Sequence, residues 1–293
     1  MTIRNWLKFI FIGLVWGSTF MWVKFGIREI GPFTLVMYRS LFASIALLIV
    51  ILYKKMKPFP WKYVGIFMVM GLINAALPFV FVAWSEKFIS SGMASILNST
   101  VPLFTLLIAP FFIPKERITL LKMMGMLLGL GGIILLMSNK VTENFLNFGI
   151  GQVLMLLAAI SYACAAVYAR IKAPELEPEW QSFLQMGSAF IILLPAAILM
   201  DGGIALPRLP LTWVAIIWMG VMGSCVSLMI FFDLLRTVGP TKTTLTSYLF
   251  PVTGVILGIL FLGEQLDLRM IYSGVIILIG VMMVNQPEKR VFV

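Results

Sequence analysis

Apolar residues along this chain fall in long uninterrupted runs, not in the alternation of a strand or the one-sided stripe of a soluble helix. The runs extend near Trp6 to Ile27, Phe33 to Tyr53, Lys62 to Trp84, Gly92 to Ile113 and Thr119 to Ser138. Five more follow near Gly149 to Ile171, Trp180 to Met200, Leu211 to Leu235, Thr241 to Leu262 and Leu268 to Gln286. Short stretches with charge, proline or glycine separate them. About 20 apolar residues cross a bilayer as a helix, and a helix satisfies its own backbone polar groups there. The pattern therefore predicts an all-α membrane protein with ten transmembrane helices. Arg4 and Lys8 precede the first run, as in a signal peptide. Its apolar stretch is too long for one, and Lys24 stands where a small-residue cleavage site belongs, so a retained helix is expected.

Composition agrees and narrows the choice. The 293 residues are 61% hydrophobic and only 12% charged, too few polar groups to cover a water-facing surface. Histidine is absent, which removes His-based triads and His metal ligands. Cys164 and Cys225 both lie in apolar runs and read as small packing residues. No Gly-rich phosphate loop, facing pair of acids, filter-like segment or ring of charges is visible, which argues against an ATP-driven pump, an intramembrane protease and a channel. Lys and Arg sort by loop. With both termini cytoplasmic, fifteen lie inside, among them Lys8, Lys54, Lys55, Lys122 and Arg170. Six lie outside and Arg39 is left within the second run. The net charge of +10 is thus a topology signal, and no basic domain for nucleic acid exists. The partners expected are the lipid bilayer and a small-molecule substrate, with no cofactor and a monomeric chain.

The two halves align on each other. At an offset of 146 residues Lys24 falls on Arg170, Glu29 on Glu175 and Pro32 on Pro178. After a three-residue slip Gly71 falls on Gly220, Pro102 on Pro251, Phe112 on Phe261, Gly125 on Gly274 and Gly131 on Gly280. The predicted repeats are residues 1–139 and 148–288. A unit of five spans is odd, so the second copy enters the membrane from the opposite side. Two inverted repeats mark secondary transporters, which hold substrate near the midplane and rock one half against the other.

Trp16-Gly17-Ser18, Tyr38-Arg39 and Leu262-Gly263-Glu264, in that order, resemble the EamA type of the drug/metabolite transporter superfamily, and Pro102 and Pro251 match that family's mid-helix prolines. The resemblance covers almost the whole chain. It implies a ten-helix exporter of amino acids or related metabolites, with a cavity lined by spans 1, 3, 4, 6, 8 and 9. Organic-cation or drug export is the alternative, and nucleotide-sugar exchange a distant third. The first copy reads Pro114-Lys115-Glu116 in place of Leu-Gly-Glu, which breaks the correspondence between Glu116 and Glu264.

Polar and aromatic side chains deep in spans are candidates for substrate contact. They are Trp16, Ser18 and Thr19 in span 1, Asn74, Pro78 and Trp84 in span 3, and Asn98, Ser99 and Pro102 in span 4. Tyr162 and Cys164 in span 6, Ser224 and Ser227 in span 8, and Ser247, Tyr248 and Pro251 in span 9 complete the set. A proline frees the carbonyl about four residues earlier, here Asn98 and Ser247, although the neighbouring hydroxyls would equally serve to satisfy a kink. Trp6, Trp61, Trp180 and Trp213 start spans and read as an interfacial belt. Arg39 reads either as counter-charge to a substrate carboxylate or as an anchor on helix-end carbonyls. The second span is peripheral in the family's fold, so the anchor is the expectation. Asp233 is the one acid within an apolar run, and a local pair with Arg236 is expected for it, which predicts facilitated export in place of strong proton antiport.

Overall fold

The structure, a computed structural model, describes residues 2–56, 58–113, 119–137, 145–172, 176–238, 243, 245–265 and 267–284. Among these, all regular structure is helical. The helices are α1 (Ile3–Gly26), α2 (Pro32–Tyr53), α3 (Trp61–Ser85), α4 (Ser91–Phe112) and α5 (Leu120–Met137). They continue as α6 (Phe145–Lys172), α7 (Pro178–Met200), α8 (Pro210–Ile217, Trp218–Val226 and Ser227–Val238 in series), α9 (Leu245–Tyr248 leading into Leu249–Leu262) and α10 (Leu268–Val284). Seven of them, α1 to α4 and α6 to α8, are long and apolar enough to cross a membrane; α5, α9 and α10 are shorter apolar helices. Large apolar residues such as Ile49, Leu128, Leu199 and Leu260 point outward from different helices. A surface of this kind suits hydrocarbon and would be insoluble in water.

Local chemistry sets the helix starts. Pro32, Pro178 and Pro210 each open a helix, where the missing N–H has no partner to lose. Ser90 caps α4 by accepting from the Met93 amide at 3.1 Å. Within α3 the stretch Leu72–Ala76 is π-helical, and within α8 the stretch Trp218–Val226 is too. These stretches occupy corresponding places in the two halves, just beyond or around Gly71 and Gly220. α4 breaks at Ser99 and Thr100 and restarts at Val101 with Pro102 in its first turn. The proline therefore begins a helix here and does not kink one.

The principal helix contacts come in couples related by exchanging each helix with the one five places on. α5 packs on α10, and α2 on α7. α1 against α9 is matched by α6 against α4, α3 against α6 by α8 against α1, and α2 against α8 by α7 against α3. Two large apolar cores and two smaller ones result. Of the large pair, one is built mainly from α2, α3, α7 and α8, with Leu35, Ala75, Met186 and Ile216 fully buried. The other joins α4, α5, α9 and α10 with α6, around Leu97, Leu103, Met155 and Ile277.

Cross-links define the two ends of the bundle. At the end holding the start of α1, Lys8 pairs with Asp233, and Lys54 with Glu179 at 2.5 Å; we call it the basic end. Asp233 is thus paired with Lys8 on α1; the side chain of Arg236, expected beside it, lies outside what the structure describes. At the opposite end carboxylates cap helix N-termini across the halves. Glu264 accepts from the Ser91 amide at 2.7 Å, the Ser91 hydroxyl at 3.0 Å and the Gly92 amide at 3.1 Å. Asp201 accepts from the amide and hydroxyl of Thr34 at 2.7 and 2.8 Å. Glu29 accepts from the backbone of Arg208 and Leu209 at the start of α8. Lys24 donates to the carbonyls of Glu86 and Ile89, the latter at 2.7 Å. We call this the capped end.

Candidate functional site

A cavity of about 630 Å³ lies between the halves. In α4 to α10 its lining comes from the middle of each helix to the basic end, reaching Ile113, Lys122, Arg170 and Val284. Toward the capped end it is walled by the outer parts of α1, α2 and α3, through Val23, Leu35 and Val82. It therefore runs out to the helix ends on one side, while the caps tie the bundle together on the other.

Of the residues singled out from the sequence, Trp16, Thr19, Arg39, Asn74, Asn98, Pro102, Tyr162 and Ser247 line this cavity. The Trp16 indole donates to the Gly223 carbonyl at 2.7 Å, inside the π-helical stretch of α8, where the altered ladder leaves carbonyls to be satisfied from outside. Its ring lies 5.4 Å from Phe231 and 6.0 Å from Phe250. The other half makes a similar bond one residue before the position that matches Trp16: Ser161 on α6 donates to the Ile73 carbonyl at 2.7 Å within the π-helical stretch of α3. Asn98 is 9% exposed, and its buried Oδ1 has no hydrogen-bond partner among the described residues.

Arg39 is 6% exposed and is not the helix-end anchor expected for it. Its Nε donates to the Ser224 hydroxyl at 2.9 Å, and its guanidinium carbon lies 3.8 Å from the centre of the Phe79 ring. Phe79 in turn is 6.3 Å from Tyr162. The repeat offset places Arg39 opposite Gln185 on α7. Gln185 also lines the cavity and accepts from Asn74 at 3.3 Å, so one half presents a cation where the other presents a neutral amide.

The remaining candidates lie elsewhere. Ser18 donates to Val15, Ser99 to Ile96 and Ser227 to Met222 within their own helices, and the Ser18 hydroxyl also accepts from the Trp218 indole on α8 at 3.1 Å. Ser224 is buried behind Arg39. Pro78 and Pro251 are packed in helices, Cys164 is half-buried, Trp84 contacts Phe33, and the Tyr248 hydroxyl donates to Val281 on α10. None of these, nor Asp233, is in the cavity wall. Trp180, read as part of an interfacial belt, is 6% exposed and packs edge-on against Phe59 and Phe183. Glu116 lies outside the described residues.

Several lining residues went unselected. Gln181 and Gln185 are polar residues one helical turn apart in an apolar run, a signal available in the sequence. Phe79, Phe231 and Phe250 carry no such signal in a chain with 23 phenylalanines. α2, expected at the periphery, and α7, outside the spans expected to line the cavity, both contribute to the wall.

The model of the EamA-like transporter family matches residues 5–138 and again residues 149–286. The chain belongs to the EamA-like transporter family. It is 31% identical to the inner membrane transporter YedA of Escherichia coli over 87% of this chain and 81% of that protein. YoaV, a transporter of Bacillus subtilis, is 22% identical over 96% of each chain. A chloroplastic WAT1-related protein of Arabidopsis thaliana is 27% identical over 98% of this chain and 70% of its own. A crystal structure with 16% identity superimposes with a TM-score of 0.66 over 97% of this chain and 96% of the other, so the fold is shared. As an EamA family member this chain is a membrane transporter, built from two copies of the family unit.

The L-G-E motif of the family takes on a physical meaning here. Gly263 adopts φ 67°, a left-handed conformation that ends α9, and the Glu264 amide then reaches back to the Gly258 carbonyl at 3.1 Å. That turn throws the Glu264 carboxylate onto the start of α4.

Proposed function

We propose that the protein is a secondary transporter that exports a small metabolite, amino acids or related compounds foremost, by alternating access. On this reading the ten helices cross the cell inner membrane as two inverted five-helix repeats, residues 1–139 and 148–288, with both termini cytoplasmic. The cell inner membrane is also where YedA is named as residing. One observation carries the proposal: a cavity of a size suited to a small molecule draws its wall from both repeats and, opposite the carboxylate caps, reaches the helix ends on the basic side. With the positive-inside orientation that side is cytoplasmic, so the conformation is inward-open. Mixed amide, hydroxyl and aromatic groups in the wall suit a substrate with a polar head and an apolar body.

Counterflow in proteoliposomes tests this. Preloading with unlabelled amino acid is expected to drive saturable uptake of labelled amino acid, with no sustained ion current across a planar bilayer. Trp16→Ala and Asn98→Ala, inserted normally, are expected to lower the counterflow rate about tenfold or more, since each removes a cavity-wall contact. Wild-type rates in both variants, or a continuous current, would sink the carrier reading.

A further inference from the structure

We infer that the cargo docks a carboxylate on Arg39, so that the substrate class is a small carboxylate with an apolar or aromatic body, and not an organic cation. The inference rests on the transport reading for the meaning of the cavity and on the geometry of Arg39 for its chemistry.

Arg39 holds a full charge inside an apolar bundle, where a cation is expensive to keep without a counter-ion. Among the described residues its one side-chain hydrogen bond is to the neutral hydroxyl of Ser224. The described ion pairs join Lys8 to Asp233 and Lys54 to Glu179, both away from it. Tyr162 is near enough to interact with it electrostatically, but a phenol is not a carboxylate. Among the described residues no Asp or Glu lines the cavity, whereas Arg39, Lys122 and Arg170 do. Arg39 thus meets no carboxylate among the described residues, and an entering anion supplies one.

The guanidinium is also posed for this. Stacking on Phe79 fixes its plane, and the bond to Ser224 occupies Nε. What is left for a ligand is the pair of terminal Nη groups, whose parallel N–H bonds match the two oxygens of a carboxylate. The repeat-related position holds Gln185, already engaged with Asn74, so the cavity has one such dock and not two. Trp16, Phe231 and Phe250 pack together in the same wall and suit an aromatic or branched body.

The test uses four probes that share a phenyl ring: 3-phenylpropionate, its neutral isostere 3-phenylpropionamide, phenylalanine, and phenethylamine. Thermal shift of the purified full-length protein reads binding, and counterflow in proteoliposomes reads transport. The propionate and phenylalanine are expected to stabilise the protein at concentrations about tenfold below those needed for the amide or the amine, the margin of a charge-assisted bidentate contact. Arg39→Gln should abolish the distinction between acid and amide. Arg39→Lys should keep it at weaker affinity, and Lys87→Gln, an exposed charge outside the cavity, should leave it intact. Equal shifts by acid and amide, stronger binding of the amine, no shift by either acid at millimolar concentrations, or discrimination that survives Arg39→Gln would each overturn the inference. The acid–amide comparison in the wild type decides it even where Arg39→Gln fails to fold. Carboxylate-selective binding without counterflow would leave this inference standing and remove the transport reading instead.

Discussion

Gly131 and Gly280 hold the same place in the two repeats, yet they do different work. A Cβ on Gly280 would run into the Gly125 carbonyl and the backbone of Gly129, because α10 and α5 touch main chain to main chain there. Around Gly131 there is open space. Gly280→Ala is expected to destabilise the protein by about 2 kcal/mol through forced separation of the two helices, while Gly131→Ala stays within ~0.5 kcal/mol. Thermal unfolding in detergent measures both, and equal effects would contradict the packing described. The two glycines look identical in sequence because a repeat alignment shows which positions correspond, not which face is covered. The same limit explains the hydroxyls. Ser18, Ser99 and Ser227 are as polar as Thr19 on paper, and all four hydroxyls donate within their own helices, yet of these only Thr19 lies on a helix face that meets the cavity. Arg39, Trp16 and Tyr162 were legible because a charge or a large polar ring in an apolar run is rare enough to stand out.

Among elements, the helix N-termini at the capped end are where charge and topology meet. The starts of α2, α4 and α8 each receive a carboxylate from the other half, from Asp201, Glu264 and Glu29 respectively. Unsatisfied amides and the positive end of the helix dipole make such a position favourable for an anion. Removing Glu264 leaves three donors of α4 without their partner. Glu264→Ala is therefore expected to raise maleimide labelling of a cysteine placed at buried Ile89 several-fold, with Glu264→Gln intermediate. Unchanged labelling in both would separate the cap from closure. Acid acts on the same device. The Thr212 side chain, with the amides of Arg208 and Leu209 and the Arg208 charge, outweighs desolvation and holds the Glu29 carboxyl below its ordinary value of 4.5. A lowered carboxyl keeps its cap through that value and loses it only as pH falls further. The Glu29 cap should hold from neutral pH down past 4.5 and fail below it, read as labelling relative to a fully exposed reference cysteine, and Glu29→Gln should remove that acid dependence. Little of this was readable beforehand. The proline-led helix starts and the repeat were plain, but a carboxylate's target across the molecule depends on packing, and the π-helical stretches of α3 and α8 have no marker beyond Gly71 and Gly220.

For the molecule as a whole, the sequence carried the class and the duplication, and the structure supplied the asymmetry between halves that are otherwise exchangeable. α2 and α7 pack together as equivalents, yet one brings Arg39 to the cavity and the other Gln185. Expecting α2 at the periphery and α7 outside the lining concealed this, because the position of a helix in a bundle does not decide whether one of its side chains reaches inward. The absence of acid from the described cavity wall has an energetic consequence. With no carboxylate there to carry a proton, the driving force can come from voltage. On the proposed export cycle, a carboxylate cargo lacking an ammonium would move one negative charge outward, and an inside-negative potential of 100 mV favours that step by about 2.3 kcal/mol, about a fiftyfold concentration gradient. A potassium diffusion potential imposed with valinomycin should therefore accelerate 3-phenylpropionate efflux and leave phenylalanine exchange unaffected, and the cell's own polarisation would serve as the pump.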